Sequence, residues 1–289
     1  MDMFLQQVMN GAVIGSTYAV VAVGFALVFI VLRVVNFAHP EIFMLGMFSG
    51  LWAASHVSGN LIVVLAAGAI GAGLGGLVLE RVVIRPLHGR NMLMTLLATL
   101  GVSIVVQNGM AIITGPDPVP YPPIIPNVSV PLGPVSLTAR QLANFSACAV
   151  LLITASYFVR CTKYGRATRA VAERPDVAAA FGVNVSLISL ITVVFASLMA
   201  GVAAVSLGLL YGSAWAFVGL LYGLKAFVIL LVAGNRYFEG VVLVAIALGI
   251  IEALITGYVS SGMRDVVTFA LLIGVLYFRP NGIFGSYNT

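Results

Sequence analysis

The stretch VMNGAVIGSTYAVVAVGFALVFIVLRVVNFAHPEIFMLGMFSG, residues 8–50, decides the fold. Residues 8–32 run for 25 positions without a charge, more than the roughly 20 apolar residues that cross about 30 Å of hydrocarbon. Asn10, Gly11, Gly15, Ser16, Thr17, Tyr18 and Gly24 interrupt the run. In lipid such small and polar residues serve close helix packing and interhelical hydrogen bonds. The run ends at Arg33, and Asn36, Phe37, Ala38, His39, Pro40 and Glu41 form a polar joint before the next apolar segment. Proline lacks an N–H and disfavours the α region at the residue before it. The pattern predicts a membrane helix, a break at His39-Pro40, and a second helix starting near Glu41.

Composition extends that reading to the whole chain. Of the 289 residues 61% are hydrophobic and 8% charged, with a mean hydropathy of +1.11. A soluble domain carries about a quarter charged residues, so the bilayer must be the solvent here. The net charge of +5 fits basic loops on one side of a membrane, not a nucleic-acid partner. Cys148, Cys161, His39, His56 and His88 are too far apart for a metal or disulfide framework. The N-terminus has no basic region and its apolar run is too long for a signal peptide, so residues 8–32 are expected to stay in the mature protein.

Further apolar segments follow at about 41–55, 61–79, 92–114, 142–159, 187–210, 220–233, 241–258 and 266–278. The expected fold is all-α and polytopic, with about eight to nine transmembrane or re-entrant helices in one domain, residues 1–289. Segments 41–56 and 217–234 either cross or re-enter. Gly68, Gly71, Gly73, Gly75 and Gly76 in the third segment read as packing seams, and G-x-x-x-G recurs at Gly11/Gly15, Gly46/Gly50, Gly208/Gly212 and Gly219/Gly223. Eight of the twelve prolines lie between Pro116 and Pro134, so residues 115–140 form an extramembrane loop. With the loops at 80–90 and 160–183 cytoplasmic, Arg33, Arg81, Arg85, Arg90, Arg160, Lys163, Arg166, Arg169, Arg174, Arg236 and Arg279 share one side. Those are 11 of the 14 Lys and Arg residues; Arg140 and Arg264 lie opposite and Lys225 within a span. This positive-inside bias places the N-terminus and the Pro-rich loop outside and the C-terminus in the cytoplasm.

The polar residues inside spans are the candidates for a path. Asn10, Ser16, Tyr18, Asn36, His39, Glu41, Gln107, Asn108 and Glu252 are the possible translocation-path residues, because buried polar groups in lipid face a partner or a pathway. Lys225 and Glu252 occupy adjacent spans, where they can pair. Gln107 and Asn108 read as helix-to-helix hydrogen bonds before substrate ligands. In the basic stretch 160–186, Asp176 follows Pro175 as an N-cap or first-turn residue, residues 177–181 form a short Ala-rich helix, and Gly182 ends it. Such a helix is either a solvated loop element or a docking face. The chain has no Walker A loop and no hydrolase or zinc motif, so no catalytic site and no cofactor are expected.

N-G-x-x-x-G-S-x-Y-A from Asn10, then Asn36-Phe37-Ala38-His39-x-Glu41, resembles the permeases of branched-chain amino acid ABC importers. Gly223-Leu-Lys-Ala-Phe227, Glu252 to Tyr258, Arg264-Asp265 and Arg279-Pro-Asn-Gly-Ile-Phe-Gly285 follow in the family's order. It departs at Pro40, where the family usually has Gly, and at residues 233–240, where the family usually has a Gly-rich stretch. The resemblance implies the permease fold of a bacterial inner-membrane ABC importer. Its partners would be a second, similar permease, one or two cytoplasmic ATPases that bind the ATP, an extracytoplasmic solute-binding protein and membrane lipid. It also makes residues 160–186 the region that couples to the ATPase, with Arg169, Glu173, Asp176, Ala179, Ala180 and Gly182 as its candidate residues. The implied substrate is a branched-chain amino acid. Alternatives are urea or short amides through the same machinery, and an ion-coupled secondary transporter built on Glu252.

Overall fold

The computed structural model describes residues 2–32, 35–87, 91–133, 135–234 and 238–284. Arg33, His88, Gly89, Arg90, Pro134, Asn235, Arg236, Tyr237 and Gly285 lie outside the described residues. In chain order the helices are α1 (Asp2–Leu32), α2 (His39–His56), α3 (Leu61–Leu79), α4 (Met92–Thr114), α5 (Ala139–Cys161), α6 (Lys163–Glu173), α7 (Pro175–Ala180), α8 (Val185–Tyr211), α9 (Val218–Ala233), α10 (Phe238–Tyr258) and α11 (Arg264–Phe278). Seven of the described helical segments, α1, α3, α4, α5, α8, α10 and α11 together with the 3₁₀ turn Ser261–Met263 before it, are long and apolar enough to cross a membrane. The chain is a multi-pass membrane protein.

The core is built on α1 and α8, which are buried along most of their length, with α4 and α11 at the periphery. Close approach rests on glycine. Gly11 and Gly15 meet α10, and Gly249 sits against the backbone of Gly15. Gly46 of α2, Gly68 of α3 and Gly201 of α8 converge on one another. Of the G-x-x-x-G pairs only Gly208/Gly212 differs: Gly208 packs on Tyr121, but Gly212, at φ +69°, terminates α8. At 18 and 16 residues, α2 and α9 are about 27 and 24 Å long, short of the hydrocarbon thickness.

Several expectations are corrected. Pro40 does not drive His39 out of the helix; α2 begins at His39 with Pro40 in its first turn, where the missing N–H would have been unpaired anyway. The 80–90 segment is not a plain loop, because helical structure continues through a wide turn at Glu80–Ile84 and a 3₁₀ turn at Arg85–Leu87. The Pro-rich loop, by contrast, agrees with the absence of helix read from its prolines and is extended in part: β1 (Val119–Pro120) pairs with β4 (Ser213–Ala214), and β2 (Ser129–Leu132) with β3 (Val135–Thr138), both antiparallel. Finally, α6 is an additional helix in the basic stretch. Its start is capped by the Thr162 side chain, which accepts from Gly165 N at 2.9 Å.

Thr138 closes a capping box with Gln141 at the start of α5. Thr138→Ala should lower thermal stability by about 1 kcal/mol, measured by unfolding in detergent.

Candidate functional site

Both short helices begin inside the bundle. Nε2 of His39 faces Gly24 of α1, eight residues, or about 12 Å, before α1 ends at Leu32. The first turn of α9 lies on the first turn of α2: Gly219 meets the Pro40 carbonyl and Glu41, and Gly223 meets the Pro40 ring. Phe43 stacks on Tyr222 at 5.5 Å, and Phe37 meets Phe227 at 6.0 Å. The two helices therefore run antiparallel, their N-terminal halves overlapping at Pro40. Gly223→Ala should clash with that ring and cost about 1–3 kcal/mol, and Pro40→Gly in the same chain should recover most of it. Unfolding midpoints of the single and double variants test the pairing.

Beside this junction lies a closed charge cluster. Glu252 of α10 is 1% exposed and Lys225 of α9 7%. Lys225 Nζ donates to Glu252 Oε1 at 2.8 Å and pairs with Asp265 at 3.2 Å. Arg264 Nε donates to Glu252 Oε2 at 2.6 Å, and Thr268 Oγ1 to Oε1 at 2.5 Å. The Tyr18 hydroxyl donates to Oε2 at 2.8 Å and accepts from Arg264 Nη2 at 2.5 Å and Lys225 at 3.1 Å. Two cations meet two carboxylates, so the cluster is neutral. It ties α1, α9, α10 and α11 together.

A cavity of about 440 Å³ opens against one side of the cluster. Tyr18, Lys225, Arg264 and Asp265 supply its polar wall, and Met47, Leu207, Val218 and Leu221 its apolar wall. Trp215 and Pro118, from the segments that carry β4 and β1, complete the rim. The Trp215 indole fixes that rim by donating to the Pro116 carbonyl at 2.8 Å. A second cavity of about 390 Å³ shares Tyr211 and Arg264 with the first.

Of the residues expected on a path, the structure brings Tyr18 and Glu252 together and confirms the Lys225–Glu252 pair. Glu41 is a separate buried group that accepts from Ser103 Oγ at 2.9 Å. Thr95, Thr99, Ser103 and Gln107 form a buried stripe on α4, and Thr99 Oγ1 accepts from Phe37 N at 3.3 Å. Asn108 turns away from that stripe and donates to its own helix at Ile104. Ser16 likewise bonds within its helix, to the Val13 carbonyl. His39 is buried edge-on to Phe25, Asn36 accepts from Ala38 N at 3.0 Å, and Asn10 lines the second cavity, bonded to Gln141. Arg264, Asp265 and Thr268 were missed as site residues; the signals for Arg264 and Asp265 were their place at the head of the last apolar segment and among the residues that carry the family resemblance, and Thr268 had none.

At the end of the bundle that holds Leu32, Val171 of α6 and Ala178 of α7 form a small apolar cluster with Val31 of α1 and Ile188 of α8. Thr168 bonds Thr192 of α8 at 3.2 Å, and Arg169 donates to the Val159 carbonyl at 2.9 Å. Asp176 lies in the first turn of α7 and pairs with Arg174 at 3.6 Å. Gly182, at φ +84°, follows the helix. Glu173, Ala179 and Ala180 are exposed, as is Phe181 at 85%.

The family model for the branched-chain amino acid transport system permease component matches residues 7–276. The chain is 35% identical to the high-affinity branched-chain amino acid transport system permease protein LivH of Escherichia coli K12, across 98% of this chain and 96% of that protein. It is 33% identical to the corresponding permease BraD of Pseudomonas aeruginosa, with the same coverage. A solved ABC transporter assigned to the metal-chelate type, in an inward-facing conformation, shares the fold with a TM-score of 0.51 at 15% identity, over 95% of this chain and 85% of that one. Match and identity both run nearly end to end, and this chain belongs to the family of branched-chain amino acid transport system permease components.

Proposed function

We propose that this chain is the membrane permease subunit of an ATP-driven importer in a bacterial inner membrane, and that it passes branched-chain amino acids. The full-length identity to LivH and BraD carries that reading. The chain would cross or re-enter the membrane eight or nine times as a single domain, with its N-terminus and the 115–140 loop outside and its C-terminus in the cytoplasm. Its partners would be a second homologous permease, one or two ATPases that bind the ATP, and an extracytoplasmic solute-binding protein. Tyr18, Glu252 and the junction at Asn36, His39 and Glu41 would flank the path, with Asn10 and Ser16 along α1 and Gln107 and Asn108 on α4.

Residues 160–186 would receive the ATPase. The exposed Ala179 and Ala180 offer a small surface, and the contacts of Val171, Ala178 and Arg169 transmit its movement to α1, α5 and α8. The ATP cycle supplies the differential stabilisation of outward- and inward-open states. Ala180→Trp, or Ala179→Pro, should abolish most uptake while ATP hydrolysis continues. The test is leucine uptake by proteoliposomes holding the complete complex, with phosphate release measured in parallel. Normal uptake by a folded Ala180→Trp complex would remove the coupling assignment, and uptake of urea or a short amide in place of leucine would remove the substrate. The ion-coupled alternative would need Glu252 to release its partners in every cycle, and it holds four donors.

A further inference from the structure

We propose that the 440 Å³ cavity is a discrete subsite that reads the zwitterion of an α-amino acid, so that this chain itself contributes to solute selection. The inference rests on the importer reading above and names what the path recognises.

Its size lies within the about 300–1,000 Å³ of small-molecule sites, and its polar wall presents two opposite charges with hydrogen-bonding capacity to spare. Lys225 and Glu252 are closed off, with side chains 9% and 1% exposed. Arg264 and Asp265 are open, at 30% and 58%. Arg264 spends Nε on Glu252 and Nη2 on Tyr18, and among the described residues Nη1 has no hydrogen-bond partner, which leaves it for a ligand carboxylate. Asp265 spends Oδ1 on Lys225, and Oδ2, without a partner among the described residues, is left for an ammonium group. Across the cavity, Met47, Leu207, Val218 and Leu221 offer an apolar surface to a hydrocarbon side chain.

Charge balance narrows the ligand further. The cluster is neutral, so an anion or a cation alone would add an uncompensated charge to it. A zwitterion adds a carboxylate and an ammonium together and keeps the balance. An uncharged amide or urea can hydrogen-bond but meets neither open charge with one of its own, and charge-assisted hydrogen bonds are the strong ones.

The test is binding of tritiated L-leucine to the full chain in lipid nanodiscs without any solute-binding protein. Competitors are leucinol, which lacks the carboxylate, isocaproate, which lacks the amine, and urea. Leucine should bind, and each competitor should be weaker by about tenfold or more. Asp265→Asn should bring leucine and isocaproate to similar affinity, a change of preference that loss of packing alone would not produce. Leu221→Trp, which fills the apolar wall without touching a charge, should remove leucine binding. If Asp265→Asn does not fold, the competitor series on the wild-type chain and Leu221→Trp decide the matter. No leucine binding, equal competition by isocaproate or urea, unchanged preference in Asp265→Asn, or unchanged binding in Leu221→Trp would each overturn the subsite. Leucine uptake by the assembled importer in the face of such a result would leave the importer reading intact, whereas uptake of urea but not leucine would remove that reading.

Discussion

Replacing Glu252 with alanine should cost about 3–5 kcal/mol of stability, the penalty for removing one side of a buried charge network. The side chain is 1% exposed and accepts from Lys225, Arg264, Thr268 and Tyr18. Without it two cations share one carboxylate, Asp265, which is itself 58% exposed. Lys225→Met should cost less, because Arg264 remains to pair with Glu252. The double variant Lys225→Met with Glu252→Gln should be more stable than Glu252→Ala, since it leaves one cation, Arg264, and one carboxylate, Asp265, and so keeps the cluster neutral. Unfolding midpoints in one detergent, with monodispersity as the control for folding, separate these cases. If the double variant melts no higher than Glu252→Ala, charge balance is not what holds α1, α9, α10 and α11 together.

The cluster also shows where the sequence stopped being legible. Apolar runs of about 18 to 25 residues marked these spans, and their ends fell within a few residues of α3, α4, α8 and α10. The Lys225–Glu252 pair could be anticipated because ionisable residues in adjacent spans seek each other. The convergence of Tyr18, Arg264 and Thr268 could not, since it depends on how four helices pack. Gln107 and Asn108 make the same point within one helix. Neighbours in sequence are about 100° apart around the axis, so one is buried and the other exposed. The meeting of α2 and α9 was half visible: Pro40 and the two short apolar segments marked it, but the rule used for Pro40 predicted a break where the structure has a first turn. The helix α6 was hidden by its basic composition, because only Gly165, Thr168 and Val171 of its 11 residues are buried.

Gly201→Val should be the most damaging substitution among the packing glycines. A Cβ at Gly201 would run into the Gly68 carbonyl of α3 and approach Ala72 Cβ at 2.6 Å, while a Cβ at Gly46 would come within 2.5 Å of Gly201 Cα. The obstacles are mostly backbone, which cannot rotate aside as a side chain can. Relief requires α2, α3 and α8 to separate, and contacts over the whole seam are then lost. Overpacking a tight core costs about 1–3 kcal/mol and occasionally more; three helices meeting at one point put Gly201→Val at or above the top of that range. Gly109, in α4, is the control, because nothing lies within 4 Å of a Cβ there. Gly109→Ala removes a flexible residue from a helix interior and should leave stability unchanged or raise it by about 0.5–1 kcal/mol. Both variants have the same expression host, detergent and readout, the yield and melting temperature of monodisperse protein. Equal losses at both positions would mean that the cost at Gly201 does not come from the close approach of three helices. A loss confined to Gly201 would mean that it matters because it lets three backbones touch.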